Sequence, residues 1–390
     1  MDTEDLKASV INEVDTHHRE LDELSHKIHA NPELGLKETK ASGWLTEYLE
    51  QNGFTVERGI CGLPTAFSAI YGKGKPAIAI LAEYDALPGI GHACGHNIIA
   101  TSAVGAGIAS RPAVNRLGGS VMVIGTPAEE LYGGKVVMIE RKAFYNVDIA
   151  MMVHPGVHNT AVTHALACET IEVEFFGKAA HAASRPEAGI NALDAMIQAY
   201  GAINSLRQHI KSTSRIHGII TDGGEAANIV PAHSAANFIV RAEEDAYLDE
   251  IKQRVIDCFT GAAVATGARL EYRWGDRRYS PMRNNLALAR LFAMNMKSLG
   301  RTFDFTDTSG AFGSTDMGNV SQILPAIHPI VAIAPPEVVI HSPEFALAAA
   351  SETASRARND ASKALAMTVV DLLASPDTLG KVKEEFTEQK

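Results

Sequence analysis

The sequence predicts an α/β protein in which a smaller α+β domain interrupts a larger α/β domain. Three observations carry this. Short apolar runs alternate with helical stretches up to about residue 168, and each run ends at polar residues able to bind a cation. From Glu169 the pattern changes to the strict alternation of a half-exposed strand, with Ile171, Val173 and Phe175 on one face and Glu172 and Glu174 on the other. From about residue 279 the α/β character returns. At 390 residues the chain is also too long for one ordinary core.

Taken in order, residues 5–30 carry helix-spaced apolar positions (Leu6, Val10, Val14, Leu21, Leu24, Ile28) before the break at Asn31-Pro32. A second helix, about 38–52, ends at Asn52-Gly53, which is C-cap chemistry. The alternation of strands and helices that follows is the signature of parallel strands covered on both faces. Asn97 is placed to cap a helix starting at Ile98, whose small residues suit close packing on a sheet. The inserted block reads as a strand at 169–176, a helix at 190–210 and strands near 214–221 and 233–241. A helix near 246–266 and a strand near 268–274 complete it. That order, βαββαβ, is the ferredoxin-like unit. The expected domains are therefore 1–168 with 279–390, and 169–278 as the insertion.

Composition excludes several function classes. Hydrophobic content of 46% and charged content of 21% fit a soluble globular protein. A formal charge of −11 argues against a nucleic-acid surface, and Arg273, Arg277, Arg278 and Arg283 read as solvated groups near a domain junction. Apolar stretches are strand-sized, so no membrane span is expected. The acidic start Met1-Asp2-Thr3-Glu4-Asp5 lacks the order of a signal peptide. Cys61, Cys94, Cys168 and Cys258 are too dispersed for a disulfide framework, which makes a cytoplasmic location the expectation.

The chemistry lies at the ends of the apolar runs. Residues 77–81 lead to Glu83 and Asp85, then to His92, Cys94, His96 and Asn97; residues 120–124 lead to Glu129 and Glu130. Residues 148–153 end at His154, and Val338-Val339-Ile340 read as a strand ending at His341. In open α/β sheets, ligands bind beyond the carboxyl ends of parallel strands. Four such ends rich in carboxylate, thiolate and imidazole suggest a transition-metal hydrolase. Singly, each has a bland alternative: Cys94 as a small buried thiol beside a capping loop, His154 and His341 as satisfied polar groups. The Glu129-Glu130 pair is harder to dismiss. Adjacent carboxylates beyond a buried strand repel unless a cation or a shared proton offsets them. One would then ligate metal while the other stays free as a base.

The motifs resemble the co-catalytic metallopeptidase and aminoacylase family over nearly the whole chain. They are His29-Ala-Asn-Pro-Glu-Leu-Gly35, Asp85-Ala-Leu-Pro88, the His92–Asn97 run, Thr126-Pro-Ala-Glu-Glu130, His154-Pro155, Gly177-Lys-Ala-Ala-His181-Ala and His341-Ser-Pro-Glu-Phe345. The nearest branch contains auxin-conjugate, hippurate and p-aminobenzoyl-glutamate hydrolases. The resemblance implies a zinc-peptidase-like catalytic domain, with a mixed sheet covered by helices and an inserted ferredoxin-like lid. It implies Cys94, His96, Glu130, His154 and His341 as ligands of two divalent ions (zinc or manganese, with cobalt possible), Glu129 as general base, and Asp85 as the carboxylate orienting a ligand imidazole. His181 on the lid would stabilise the oxyanion, from the same chain or from a partner in a homodimer. Asn228 and Arg241 match lid positions that contact substrate. Asn228 also reads as a turn residue, and Arg241 as an ion-pair partner of Glu243 or Asp245.

The chain departs from the family pattern in three places. Glu83 stands where many peptidases of the family have His and where the hydrolase branch usually has Asp. Asn97-Ile98-Ile99 follows the second His, in place of Asp and a further His. Gly313-Ser-Thr-Asp-Met-Gly-Asn319 replaces the commoner Ser-Glu-Asp-Phe. The last two resemble the p-aminobenzoyl-glutamate and β-alanyl-dipeptide hydrolase sub-branch. The expected substrate is therefore an N-acyl or aryl-amide amino acid or a small dipeptide. Hydrolysis of an ester or aromatic amine on the same core, or a degenerate binding protein that has lost part of the ligand set, are the competing readings.

Overall fold

The structure is a computed structural model, and it describes residues 2–305 and 313–389. The chain forms two compact units. Among the described residues, the larger is built from Asp2 to His164 and most of the chain from Met282 onward; the smaller is Ala165–Pro281, joined by Gly313 and Ser314.

In the larger unit the N-terminal helical pattern is split into α1 (Thr3–Thr16) and α2 (His18–His29), not one continuous helix. The break falls at His17, whose ring lies 2.8 Å from the Tyr48 hydroxyl of α3 (Thr39–Gln51). The six-stranded sheet has the order β1-β2-β4-β3-β5-β11, formed by β1 (Thr55–Arg58), β2 (Phe67–Lys73), β3 (Ala77–Ala82), β4 (Gly119–Gly125), β5 (Ile149–Met151) and β11 (Ala326–Ile327). It is mixed. β1, β2 and β4 pair antiparallel, whereas β4, β3, β5 and β11 run parallel. Both faces of the parallel half are buried, which explains its continuous apolar runs. Ile78 and Ile80 enter one core, while Ala77, Ala79 and Leu81 enter the other.

α4 (His96–Ala109) is buried along its whole length. Its N-cap is Gly95, at φ +78, and a Cβ there would meet Pro155 Cγ at 2.5 Å. Only glycine satisfies both the left-handed backbone and this close approach. Asn97 is therefore not a cap. Its amide lies inside the first turn and donates to Ser25 Oγ at 3.0 Å and to the Ala349 carbonyl at 2.9 Å.

Val338-Val339-Ile340 is not a strand either. It follows Pro335-Pro336, turns through a Val338 N–H to Pro335 carbonyl bond of 3.1 Å, and leaves Val339 70% exposed. A β-branched run with no sheet edge to join stays irregular.

The smaller unit contains β7 (Ala167–Phe176), α8 (Ala192–Leu206), β8 (Arg215–Asp222), β9 (His233–Ala242), α9 (Asp245–Thr266) and β10 (Arg269–Trp274). Its antiparallel sheet has the order β10-β7-β9-β8, the ferredoxin-like arrangement. Ile171, Val173 and Phe175 face its core with Phe238 and Phe259. This unit starts a few residues before Glu169 and also includes Ser314, so its limits are wider than the expected 169–278.

Candidate metal centre

The loops after β3 and β4, the start of α4, and β6 (His154–Gly156) bring one cluster together. Donor atoms of Cys94, His96 and His154 lie within 4.8 Å of one another, as do those of Cys94, Glu130 and His341, and those of His96, Glu129 and Glu130. Cys94 Sγ is 3.4 Å from His154 Nε2 and 3.3 Å from His341 Nε2. His341 Nε2 is 3.5 Å from Glu130 Oε1. His341 reaches the cluster from a turn rather than a strand end. Its backbone N–H donates to the Ala93 carbonyl at 3.0 Å, which seats it beside Cys94.

The tautomers follow from the partners. His96 Nδ1–H donates to Asp85 Oδ1 at 3.0 Å, and His154 Nδ1–H donates to the Pro155 carbonyl at 2.6 Å. Each ring therefore points Nε2 toward the cluster, where a bound cation would take the place of its proton. Among the described residues, His96 Nε2 is buried with no hydrogen-bond partner. A buried imidazole nitrogen surrounded by thiol, imidazole and carboxylate groups fits a transition-metal ion.

The two adjacent glutamates are driven apart. Burial, then Glu83, Asp316 and Glu130, raise the pKa of Glu129 well above its ordinary value. Burial also opposes ionisation of Glu130, but His341 and His96 outweigh it and hold the carboxyl below its usual range. Burial, with Glu130 adding, pushes the Cys94 thiol up, and a coordinated cation reverses that order. Burial lowers His154 to about 4, with His96 adding.

The N-terminal motif supports this loop from behind. The Glu33 carbonyl accepts the Ala86 N–H at 2.8 Å, next to Asp85. Gly35 packs so closely on Ala128 that a Cβ would lie 2.7 Å from the Ala128 Cβ. Ala128 itself has φ +60, and its N–H is held by Glu38 Oε1 at 2.9 Å. This strained residue aims the Glu129-Glu130 pair. Glu38 is itself buried, which raises its pKa to about 7.

Three residues beside the cluster escaped the reading of the sequence. Lys135, in α7 (Gly134–Glu140), is fully buried; its ammonium pairs with Glu83 and lies 2.7 Å from Asp316 Oδ1. Its backbone N–H also donates to Asp316 Oδ2 at 2.9 Å. The other oxygen of Glu83 is 3.5 Å from His96 Nε2. A single Lys in a short apolar helix reads as a solvated side chain, and only its neighbour Glu83 hinted otherwise. Asp316 lay in a noted motif without a role. His328 stacks edge-on to His154, with ring centroids 5.4 Å apart. Nothing in its local sequence marks it.

The smaller unit holds the remaining residues. His181 is exposed, and its Nδ1 accepts from the Ala183 and Ser184 N–H groups at 3.3 Å each. Exposed Asn228 lies on the facing loop, where its carbonyl accepts the Ala182 N–H at 3.0 Å. Arg241 makes no ion pair with Glu243 or Asp245; its guanidinium donates to Ser314 Oγ at 2.7 Å.

Residues 169–266 match the family described as the peptidase dimerisation domain. The mouse Xaa-Arg dipeptidase is 38% identical over 98% of this chain and 92% of its own length. One of the subunits of p-aminobenzoyl-glutamate hydrolase from Escherichia coli K12 is 36% identical over 65% of this chain and 57% of its own. A solved Bacillus subtilis structure, described as a dinuclear metal binding peptidase from the M20 family, superposes with a TM-score of 0.73. It covers 92% of this chain and 99% of its own at 20% identity, a likeness of fold. The chain belongs to the M20 peptidase family, the co-catalytic metallopeptidases and aminoacylases, and is a metal-dependent hydrolase of amide or peptide bonds.

Proposed function

We propose that the chain hydrolyses small dipeptides bearing a C-terminal basic residue, with Cys94, His96, Glu130, His154 and His341 holding two divalent ions. The convergence of these donors on one cluster, with Glu129 in the same group, is the observation that carries the reading. The substrate class is supported by likeness to an Xaa-Arg dipeptidase. Thiolate and imidazole donors favour zinc, and the carboxylates also admit manganese or cobalt.

When bound, the ions supply Lewis acidity to the water nucleophile and to the amide carbonyl. Glu129 takes a proton from the attacking water, holds it while the carbon–nitrogen bond breaks, and delivers it to the leaving amine. Asp85 keeps His96 in the ligating tautomer. His181 donates to the carbonyl oxygen as negative charge develops, and Asn228 with Arg241 binds the polar end of the substrate.

A homodimer is the assembly we favour. The smaller unit matches a dimerisation family, and its edge strand β8 leaves Ile219 65% exposed. An open, apolar strand edge is a surface for pairing with a second chain. A cytoplasmic location is supported by four cysteines that form no disulfide.

The test is a turnover panel on metal-reconstituted protein: dipeptides ending in Arg or Lys, β-alanyl dipeptides, p-aminobenzoyl-glutamate and N-acyl amino acids. We expect the highest kcat/KM on dipeptides with a basic C-terminal residue. Turnover confined to N-acyl amino acids would overturn the substrate assignment.

A further inference from the structure

His328 sits where the chain leaves it no freedom. It falls between β11 and β12 (Ile330–Ala332), and these two short strands run along β5 and β6 respectively. The Met152 N–H donates to the Ile327 carbonyl at 3.2 Å, and the His154 N–H donates to the Pro329 carbonyl at 2.9 Å. These bonds flank His328 on both sides, and its own carbonyl accepts from the Thr163 hydroxyl. Its ring is thereby fixed against His154 at a 77° interplanar angle.

The ring is only 3% exposed, and both of its nitrogens are buried without a hydrogen-bond partner among the described residues. A buried donor or acceptor left unpaired loses its hydration with nothing in return. A position that merely filled space beside His154 would carry Phe, Leu or Met at no such cost. His328 is also not among the donors that converge on a cation, although its neighbour His154 is. The ring therefore stands beside a metal ligand, rigid and polar, with unused hydrogen-bonding capacity.

We propose that His328 is a substrate-binding residue of the metal centre, donating one ring N–H to an oxygen of the substrate that enters beside His154. The acceptor is a carboxyl-type oxygen: the carbonyl under attack or the free carboxylate of the dipeptide. This inference rests on the amide-hydrolase reading above and adds a residue to it. A carbonyl acceptor makes His328 a donor to developing negative charge; a carboxylate acceptor makes it a determinant of ground-state affinity.

The test uses metal-loaded protein with His328→Phe, which keeps the volume and removes the N–H, and His328→Asn, which returns a neutral donor. Metal content is measured by elemental analysis, and affinity for a phosphinic dipeptide analogue by calorimetry. For His328→Phe we expect full metal content, at least a tenfold loss of kcat/KM and weaker analogue binding, with His328→Asn recovering part of each. A fall in kcat at constant KM assigns the carbonyl; a rise in KM at constant kcat assigns the carboxylate. Should the Phe variant fail to fold, His328→Leu takes its place. Wild-type kcat/KM and analogue affinity in the apolar variant overturn the inference, and so does a loss that tracks lost metal. Absence of amide turnover by the wild type overturns the amide-hydrolase reading instead, and the calorimetric comparison still judges His328.

Discussion

Asp85 accepts the backbone N–H of Glu130 at 3.0 Å with one carboxylate oxygen, while its other oxygen accepts Nδ1–H of His96 at 3.0 Å. A single buried side chain beyond β3 thus orients the ring of one proposed ligand and the backbone of another. The two belong to different elements, the start of α4 and the short helix Glu129–Tyr132 beyond β4. Burial opposes charge on Asp85, but His96 and the Glu130 N–H hold its pKa below the ordinary value.

Asp85→Asn tests this arrangement. The amide offers one acceptor where two are used, so either His96 or Glu130 loses its anchor. We expect metal affinity to fall roughly 10- to 100-fold, as for other partners of metal ligands. Competition with a chelating dye measures it. Unchanged affinity would show that the ligands hold themselves.

Glu129 and Glu130 are predicted to differ in what they lose. Glu129→Gln should abolish turnover while metal content stays near wild type, because its proposed role is to move a proton. Glu130→Gln should lower the metal content itself. Elemental analysis of both variants settles the division of roles, and equal metal loss in the two would refute it.

Lys135 is the counter-charge of two buried carboxylates, Glu83 and Asp316. Burial works against its charged form, yet Asp316 and Glu83 raise its pKa above the usual lysine value. Removing one partner of a buried charge cluster leaves the others uncompensated, typically at a cost of about 3–5 kcal/mol. Lys135→Met should therefore destabilise the larger unit by that order in urea unfolding. Adding Glu83→Gln should recover part of the loss. A neutral effect of Lys135→Met would mean that the two carboxylates share a proton instead.

How far the sequence reveals this architecture depends on whether a residue's environment is local. The runs at 77–82 and 119–125 are legible because strands buried on both faces must be continuously apolar, and β7 because its period is two. The proposed donors Cys94, His96 and Glu130 are legible because they follow β3 and β4, and strand ends of an α/β sheet converge, whereas His341 reaches them from a turn. Lys135 and His328 are not, since only tertiary packing places them beside the cluster. Val338–Ile340 misleads through β-propensity, which means little without a neighbouring strand. Asn97 misleads because capping chemistry and a buried tether use the same side chain.

A pH dependence is expected in the smaller unit, from a cluster far simpler than the metal centre. His233 Nδ1 lies 2.6 Å from Asp222 Oδ2, and its Nε2 lies 2.8 Å from Glu174 Oε2. Both nitrogens face carboxylates, so both carry protons, and Asp222 first and Glu174 second raise the pKa of His233. Asp222 is lowered in turn, chiefly by His233. A histidine raised on folding adds stability that is fully present below its unfolded pKa of about 6.5, and that is lost as pH rises through the folded value. The Asp222 contribution is present above its unfolded pKa of about 4 and is lost as pH falls through its folded value. The cluster should therefore stabilise the chain most between about pH 4 and 6.5. Urea unfolding of wild type and His233→Gln across pH 4–9 reads this directly. We expect the difference to be largest near pH 5–6, to shrink at alkaline pH, and to weaken in 1 M salt because the groups are partly exposed. A difference that is constant with pH would assign His233 a packing role, on the ring of Phe176 at 5.1 Å, in place of a charged one.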